Sequence, residues 1–277
     1  MDFAFTPEHD SLRAHLASLL DDVCPAEYAE RCDTEARPPR EAYEALGRQG
    51  WLGLTIPTEY GGSGGSPIDL AILLEETGRH FEELAMWVFR TITYGGHAVM
   101  HHGTPEQREA FLPRVARGEL SVCFGLSEPQ SGSDAAALTT RASRDDGGYA
   151  ITGRKIFTSG MDISDFCLLV TRTSTGARRQ DGITNFLVDT KLPGIEVRKV
   201  PTLGHRAIGT TAVAYTDVRV PVTAVLGEVD RGWQAVDLYL WYERLCLSAA
   251  RTGAAAAAFA YALDYAKARM QFGRPIG

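Results

Sequence analysis

Hydrophobic residues in the first part of the chain recur three and four positions apart, the spacing of a helix that buries one face. Thr6-Pro7-Glu8 offers an N-cap followed by a proline at the first helical position. The apolar positions that follow are Leu12, Leu16, Leu19, Leu20 and Val23. Ser66-Pro67 opens another helix, and Thr104 to Gln107 is a capping box that opens a third. Residues 1–120 are therefore predicted to form an N-terminal all-α domain.

The period shortens toward two after residue 120, which is typical of half-buried strands. Two such segments, near 137–143 and 149–157, are separated by Asp145-Asp146-Gly147-Gly148, a strong hairpin signal. Short apolar and β-branched runs follow at 166–171, 183–188, 194–200 and 211–216. Residues 121–228 are predicted to form a small middle β domain, a sandwich or a barrel.

Helical spacing returns after Gly232, from about Trp233 to Arg269, with an alanine-rich face. One long helix cannot bury such a surface by itself and needs partner helices. We expect residues 229–277 to be the beginning of a C-terminal helical bundle domain that is incomplete here. Either the chain continues, or another polypeptide supplies the partners. The fold class predicted for the whole is α+β.

Composition excludes several classes of protein. The 277 residues carry a formal net charge of −7, whereas a nucleic-acid binder needs a basic footprint to neutralise phosphates. Five dispersed cysteines without a C-x-x-C pair favour reduced thiols over a disulfide framework. The N-terminus shows no signal-peptide pattern, and no run is apolar enough to span a bilayer. We therefore expect a cytoplasmic protein that binds neither nucleic acid nor membrane.

Two other patterns are weak indications of a cofactor or metal site. Gly62 to Pro67 resembles part of a dinucleotide-binding fingerprint, but proline replaces its last glycine and no βαβ unit surrounds it, so a turn is expected. His97 and His101 lie one helical turn apart and His102 is adjacent, a spacing that metal sites use. No third ligand is evident nearby, and we predict no metal.

The most informative stretch runs from Phe124 to Asp134. Its hydroxyls, glycines and free backbone N–H groups suit an anionic or carbonyl-bearing ligand. It resembles the signature of the acyl-CoA dehydrogenase family, an aromatic residue followed by x-x-[Ser/Thr]-Glu-Pro-x-x-Gly-Ser-Asp. Four other stretches resemble the same family in order, so the resemblance covers essentially the whole chain: 51–62, 153–160, 203–221 and 269–276.

This resemblance implies FAD as the cofactor and assigns residues to it. Phe124, Leu126 and Ser127 would lie against the flavin, with donors at 126 and 127 bonding its pyrimidine edge. Phe157 would pack on the isoalloxazine ring, and the Ser159 hydroxyl would reach N5, where many family members use threonine. Arg269, Gln271 and Phe272 would contact the ADP half of FAD in a neighbouring subunit, which implies a homo- or hetero-oligomer, a dimer or tetramer.

The same resemblance implies a substrate site for an acyl thioester. Ser133 would contact both FAD and the pantetheine arm, and Arg244 resembles a residue near the CoA or the rim of the site. Trp241 stands where some members have the aspartate that contacts the CoA adenine, which leaves room for an acyl carrier protein as the substrate carrier. In two branches of the family the catalytic base immediately precedes an arginine on the first long C-terminal helix, and that position is Glu243 here. In most members the base lies at a position beyond Gly277.

Three functions remain open from the sequence. The first is FAD-dependent α,β-dehydrogenation of an acyl thioester, with electrons passed to electron-transfer flavoprotein. The second is a flavin-dependent oxidase or monooxygenase on the same scaffold, since fold does not dictate chemistry. The third is a non-catalytic protein, either a truncated chain or one subunit of a heteromeric dehydrogenase.

Overall fold

A computed structural model describes residues 4–277 of the protein. Its α-helices are α1 (Pro7–Val23), α2 (Ala26–Thr34), α3 (Arg40–Arg48), α4 (Pro67–His80), α5 (Glu82–Arg90), α6 (Ala98–His102), α7 (Pro105–Ala116) and α8 (Trp233–Ala268). A π-helical segment, Thr91–His97, joins α5 to α6 without a break. Single 3-10 turns lie at Trp51–Gly53, Thr58–Tyr60, Ala135–Ala137 and Val222–Ala224.

Three helices begin with the same local chemistry, and the sequence predicted all three starts. At the start of α7, the Thr104 hydroxyl accepts from the Gln107 backbone N–H, and the Gln107 side chain accepts from the Thr104 N–H. Ser66 with Asp69 starts α4, and Thr6 with His9 starts α1, in the same way. Each has proline at the first helical position, so donors that lack a helical partner are satisfied or absent.

The strands form one eight-stranded sheet in the middle of the chain. They are β1 (Val122–Gly125), β2 (Arg141–Arg144), β3 (Gly148–Lys155), β4 (Phe166–Arg172), β5 (Ile183–Asp189), β6 (Ile195–Val200), β7 (Thr210–Pro221) and β8 (Val225–Leu226). Their order is β6-β7-β3-β2-β4-β5-β8, and β1 pairs in parallel with β4. The predicted hairpin at 145–148 is present, with Arg144 opposite Tyr149. The sheet has an apolar core of its own that includes Tyr149, Phe186 and Tyr215.

Helix α8 packs on α4 through backbone-to-backbone contact. A Cβ added to Gly253 would lie 1.8 Å from the Glu75 carbonyl oxygen, and one added to Gly78 would lie 2.3 Å from the Ala250 carbonyl oxygen. Only glycine at these two positions allows the helices to approach so closely. This contact fixes the first part of α8 against the helical domain.

The second part of α8 is exposed, as its sequence suggested. The buried residues of the helix end at Gly253. Beyond it, Phe259 is 70% exposed and Tyr261 is 77% exposed. A two-stranded hairpin follows, β9 (Met270–Gln271) and β10 (Arg274–Pro275). After it, the Gly277 backbone N–H donates to the Ala266 carbonyl oxygen at 3.2 Å, so the chain turns back onto the end of α8.

The fold class agrees with the sequence. The α+β prediction, with a helical N-terminal part, a middle β-sheet and a C-terminal helix, is confirmed. Among residues 4–277, no helix has the length and apolar character needed to cross a membrane.

Candidate active site

Two adjoining cavities, about 430 and about 360 Å³ in volume, open where α5, the end of β1, the end of β3 and α8 meet. We call them together the central cavity. Five residues line both parts: Phe89, Arg90, Phe157, Ser159 and Glu243. A separate cavity of about 380 Å³, beside His101 and His102, contains none of the residues that the resemblance singled out.

Most of the predicted site residues line the central cavity, although they come from three distant parts of the chain. They are Phe124, Leu126, Ser127, Ser133, Phe157, Ser159 and Glu243. Trp241 and Arg244 lie beside Glu243 on α8, but they do not line the central cavity, and both are exposed. Arg269, Gln271 and Phe272 lie past the end of α8, in or beside the β9–β10 hairpin, with the Phe272 side chain fully exposed. They do not line the central cavity of their own chain.

The sequence left two positions open for the catalytic base, and Glu243 is the one that the structure describes. Glu243 lies at the central cavity, where a base would be needed. The other position lies beyond Gly277, the last residue of the sequence. Among these two positions, Glu243 is the one that lines the central cavity in the structure.

Hydrogen bonds fasten the loop after β1 to the end of β3. The Ile156 backbone N–H donates to the Ser127 carbonyl oxygen at 2.9 Å. The Lys155 ammonium donates to the Leu126 carbonyl oxygen and to Glu128 Oε1, both at 2.9 Å. The two stretches that the resemblance assigns to one flavin, 124–134 and 157–159, are therefore held side by side.

The Glu128 carboxylate accepts several hydrogen bonds that hold the loop after β1. Besides Lys155, it accepts from the backbone N–H groups of Thr139 at 2.7 Å and Thr140 at 2.8 Å, and from the side chain of Gln130 at 2.7 Å. Burial alone would raise the pKa of Glu128, but the Lys155 ammonium and these donors outweigh it and lower it to about 2. Burial lowers the pKa of Lys155 to about 8, against the opposing effect of Glu128.

Phe157 presents an uncovered aromatic ring to the central cavity. Its side chain is 63% exposed, which is high for a phenylalanine that lines a cavity. Its backbone has a φ of +58°, a conformation rare for a bulky residue and found mostly where function requires it. Two residues on, the Ser159 hydroxyl lies 3.2 Å from Thr210 Oγ1, to which it donates. A flat ring and a hydroxyl therefore face the same space.

The π-helical segment turns Tyr94 toward α8. Such segments are rare in proteins and are frequent at functional sites. The Tyr94 hydroxyl donates to Glu243 Oε2 at 2.7 Å, and its ring stacks on Phe124 with centroids 4.5 Å apart. Burial, together with the negative charge of Glu243, raises the pKa of Tyr94 well above its usual value, so Tyr94 keeps its proton and donates. Tyr94 therefore fixes the Glu243 carboxylate at the edge of the cavity.

Arg90 is a site residue that the sequence analysis did not single out. It ends α5, is 5% exposed, and lines both parts of the central cavity. A Cβ added to Gly160 would lie 2.6 Å from Arg90 Nη2, so the guanidinium packs on the main chain directly after Ser159. Its only signal in the sequence is a single charge inside the apolar run from Leu84 to Val99.

Of the three histidines that were considered as metal ligands, His97 is the most deeply buried. His97 is 2% exposed, with Nε2 2.8 Å from Thr55 Oγ1, and burial lowers its pKa to about 3. Its ring also lies against Tyr242 of α8, with centroids 4.0 Å apart. Over residues 4–277, no group of three or more His, Cys, Asp or Glu side chains is placed to hold a metal ion.

Comparisons with known proteins agree with this geometry along the chain. The family model described as "Acyl-CoA dehydrogenase, N-terminal domain" matches residues 6–119. The model for the middle domain of the same family matches residues 123–218, and the model for its C-terminal domain matches residues 230–277. The three matches follow the chain order of helices, sheet and long helix.

Individual relatives give the same result. The chain is 36% identical over 256 residues to "Acyl-CoA dehydrogenase FadE26" of Mycobacterium tuberculosis, covering 89% of this chain and 63% of that protein. It resembles the solved "glutaryl-coenzyme A dehydrogenase glutaryl-CoA complex" with a TM-score of 0.94 and 27% identity, over 100% of this chain and 71% of the other.

A third similar structure is described as "Electron transferring flavoprotein of Acidaminococcus fermentans: Towards a mechanism of flavin-based electron bifurcation". Its TM-score is 0.93 at 27% identity, over 100% of this chain and 72% of the other. The chain thus spans between 63% and 72% of the length of these three proteins. With three family models matched in order over most of its residues, this chain belongs to the acyl-CoA dehydrogenase family.

Proposed function

We propose that the chain forms the flavin-binding and substrate-binding part of an FAD-dependent dehydrogenase that oxidises an acyl thioester between its α and β carbons. One observation carries the proposal: Phe157, Ser159 and Glu243 come from separate elements and meet at one cavity with the loop from Phe124 to Ser133. An aromatic platform, hydrogen-bond donors and a carboxylate in one partly buried space are what such an oxidation needs.

The residues present fit a flavin. The uncovered Phe157 ring offers a flat apolar surface, and Leu126 and Ser127 offer donors at a neighbouring edge of the cavity. When bound, FAD supplies a hydride acceptor. Ser159 would orient that acceptor by donating to it in place of Thr210, because a hydroxyl can rotate from one partner to another. Phe124 would close the site from behind, held by its stacking on Tyr94.

Glu243 is the proposed catalytic base that removes the α-proton. Its Oε2 is held by Tyr94, and its Oε1 has no hydrogen bond to any residue from 4 to 277, so one oxygen remains available to a substrate proton. The Tyr94 hydroxyl fixes the orientation of the carboxylate.

The remaining assignments complete the proposal. Ser133 would bind the pantetheine arm at the exposed mouth of the cavity, while Trp241 and Arg244 would lie where the carrier, CoA or an acyl carrier protein, approaches the surface. Arg269, Gln271 and Phe272 are too exposed to act within their own chain, and we propose that they reach FAD bound to a second copy. That role requires a homo-oligomer.

We propose electron-transfer flavoprotein as the electron acceptor and the cytoplasm as the location. The first is supported by the similar structure from Acidaminococcus fermentans, whose description names such a flavoprotein. The second is supported by the cysteines, since all five are free and buried, as expected where thiols stay reduced. We also propose that the domains divide as the sequence suggested, at 1–120, 121–228 and 229–277.

The proposal is tested with Glu243→Gln in FAD-loaded protein. We expect FAD and thioester to bind as before, while single-turnover bleaching of the flavin slows about a hundredfold to ten-thousandfold, since that is what a positioned base contributes. Asp237→Asn is the matched control, an exposed carboxylate on the same helix, and should bleach at the normal rate. An unchanged rate in Glu243→Gln would place the base elsewhere, at a position beyond Gly277 as in most family members.

The same measurement separates the alternatives. Flavin that is reduced by thioester and then reoxidised rapidly by oxygen would indicate an oxidase. Protein that binds no FAD alone, but does so with a second polypeptide, would indicate a subunit of a heteromer.

A further inference from the structure

Arg90 is a buried cation without a hydrogen-bond or ion-pair partner among residues 4–277. Its Nε and Nη2 atoms are both inaccessible to solvent, and neither donates a hydrogen bond to any residue that the structure describes. Burying a charge without pairing it is costly, so buried charges in proteins are almost always paired or bind a ligand. A guanidinium has five N–H donors in a planar fork, and this one leaves most of them free.

The groups that would normally neutralise Arg90 are engaged elsewhere. Glu243, which lines the same cavity, is held by Tyr94 at 2.7 Å. Asp162 contributes a favourable charge to Arg90, but its carboxylate pairs with Lys199 at 3.3 Å. The protein therefore supplies no carboxylate to the guanidinium from the residues described, although two lie in its surroundings.

The position of Arg90 shows what part of a substrate it would meet. Its guanidinium packs on Gly160, directly after Ser159, and the same residue lines the cavity beside Glu243 and Phe157. If proton and hydride are removed between Glu243 and the flavin at Ser159, the acyl group lies at this end of the cavity. The carrier would approach past the exposed residue Ser133, to which the resemblance assigns the pantetheine arm. The pantetheine arm separates the carrier's phosphate from the thioester, so the acyl group, and not the phosphate, would lie beside Arg90, Glu243 and Phe157.

We infer that Arg90 binds a carboxylate carried by the acyl chain, so that the substrates of this protein are acyl thioesters with an acidic acyl group. The inference rests on the proposed function and narrows it to a substrate class. Nη1 is not among the enclosed atoms of the guanidinium, so it is the end that a carboxylate in the cavity would reach. Hydrogen bonds between a guanidinium and a carboxylate are short and strong. The substrate would provide the charge that the folded chain lacks.

The test uses FAD-loaded protein and matched pairs of CoA thioesters. The two members of a pair have acyl chains of the same length, and one ends in a carboxylate while the other ends in a methyl group. The carboxylate-terminated members run from succinyl-CoA to suberyl-CoA. Dissociation constants are measured from the change in flavin absorbance and from calorimetry. Wild-type protein should bind the best carboxylate-terminated member roughly tenfold or more tightly than its methyl-terminated partner. In Arg90→Met this preference should disappear, and Arg90→Lys should recover part of it.

Arg251→Met is the matched control. Arg251 also lines the cavity, but its guanidinium is paired with Glu82 at 2.8 Å. This variant should keep the preference for the carboxylate. Equal binding of both members by wild-type protein would overturn the inference. So would an Arg90→Met variant that loses affinity equally for both, because Arg90 would then act on the flavin or on Glu243.

Failure of this inference differs from failure of the proposed function. Thioesters that reduce the flavin without any preference for a carboxylate would contradict the role of Arg90 and leave the dehydrogenase in place. A carboxylate preference that depends on Arg90, in protein whose flavin no thioester reduces, would support the anion site and contradict the dehydrogenase.

Discussion

Two buried cations near the central cavity have opposite surroundings. Arg90 lines the cavity, whereas Lys155 binds the loop that lines it from behind. Lys155, at the end of β3, is fully buried and touches Glu128 and the Leu126 carbonyl oxygen at 2.9 Å. Arg90, at the end of α5, is almost as deeply buried and has no such partner among the described residues. The first charge is used to hold a loop in place, and removal of its partner should damage the fold. The second contributes nothing comparable to the fold, which is why we assign it to a ligand.

The largest expected change in stability comes from removing the carboxylate that pairs with Lys155. We expect Glu128→Gln to lower the free energy of unfolding by about 3 to 5 kcal/mol, because it leaves a buried ammonium uncompensated. Urea denaturation followed by circular dichroism measures this. Glu119→Gln removes an exposed carboxylate paired with Arg117 and should change stability little.

A double variant tests whether the loss of stability comes from the broken Glu128–Lys155 ion pair. Glu128→Gln combined with Lys155→Met should be less destabilised than the sum of the two single changes, because the unpaired charge is gone. If Glu128→Gln alone unfolds at the wild-type urea concentration, Lys155 does not depend on Glu128, and the contrast with Arg90 is lost.

Acid should weaken the same pair. The pKa of Glu128 is about 2 in the folded protein, below its ordinary value of 4.5. A carboxylate with a lowered pKa stabilises the fold above the unfolded value and loses that contribution as the pH falls toward the folded value. The contribution, on the order of 3 kcal/mol, should therefore disappear between about pH 5 and about pH 2. Unfolding of wild type and Glu128→Gln over that range should converge. A constant difference would contradict the prediction.

The smallest expected effect has the opposite sign. Arg90→Met should raise the free energy of unfolding of ligand-free protein by about 1 to 2 kcal/mol, because it replaces an unpaired buried charge with an apolar chain of similar size. Differential scanning calorimetry at neutral pH measures the shift in Tm. Arg251→Met, which removes a paired arginine, should give no such gain. A lower Tm in Arg90→Met would mean that Arg90 stabilises the fold.

Local chemistry explains how much of the fold the sequence could predict. The starts of α1, α4 and α7 depend on residues three positions apart, and the 145–148 hairpin on adjacent ones. Such features are visible in a sequence because their partners are close along it. The family resemblance also pointed to residues that line the central cavity. The structure brings them together from 124–133, 157–159 and 243.

What the sequence could not predict depends on partners distant along the chain. Glu128 and Lys155 stand in two quoted motifs, but their pairing joins residues 27 positions apart across the fold. The Tyr94–Glu243 bond joins residues 149 positions apart and depends on the π-helical segment that directs Tyr94. Whether Arg90 has a partner cannot be read from its neighbours in sequence, since the answer lies in what Glu243 and Asp162 bind instead.

Helix α8 has a mechanical consequence. It runs unbroken for 36 residues, roughly 54 Å at 1.5 Å per residue. Glu243 lies on its anchored part, where glycine lets the backbone touch α4, whereas its far part stands free. The backbone contact at Gly253 lies between these two parts, so a load on Phe259 or Tyr261 should bend the free arm while the Glu243 carboxylate keeps its place.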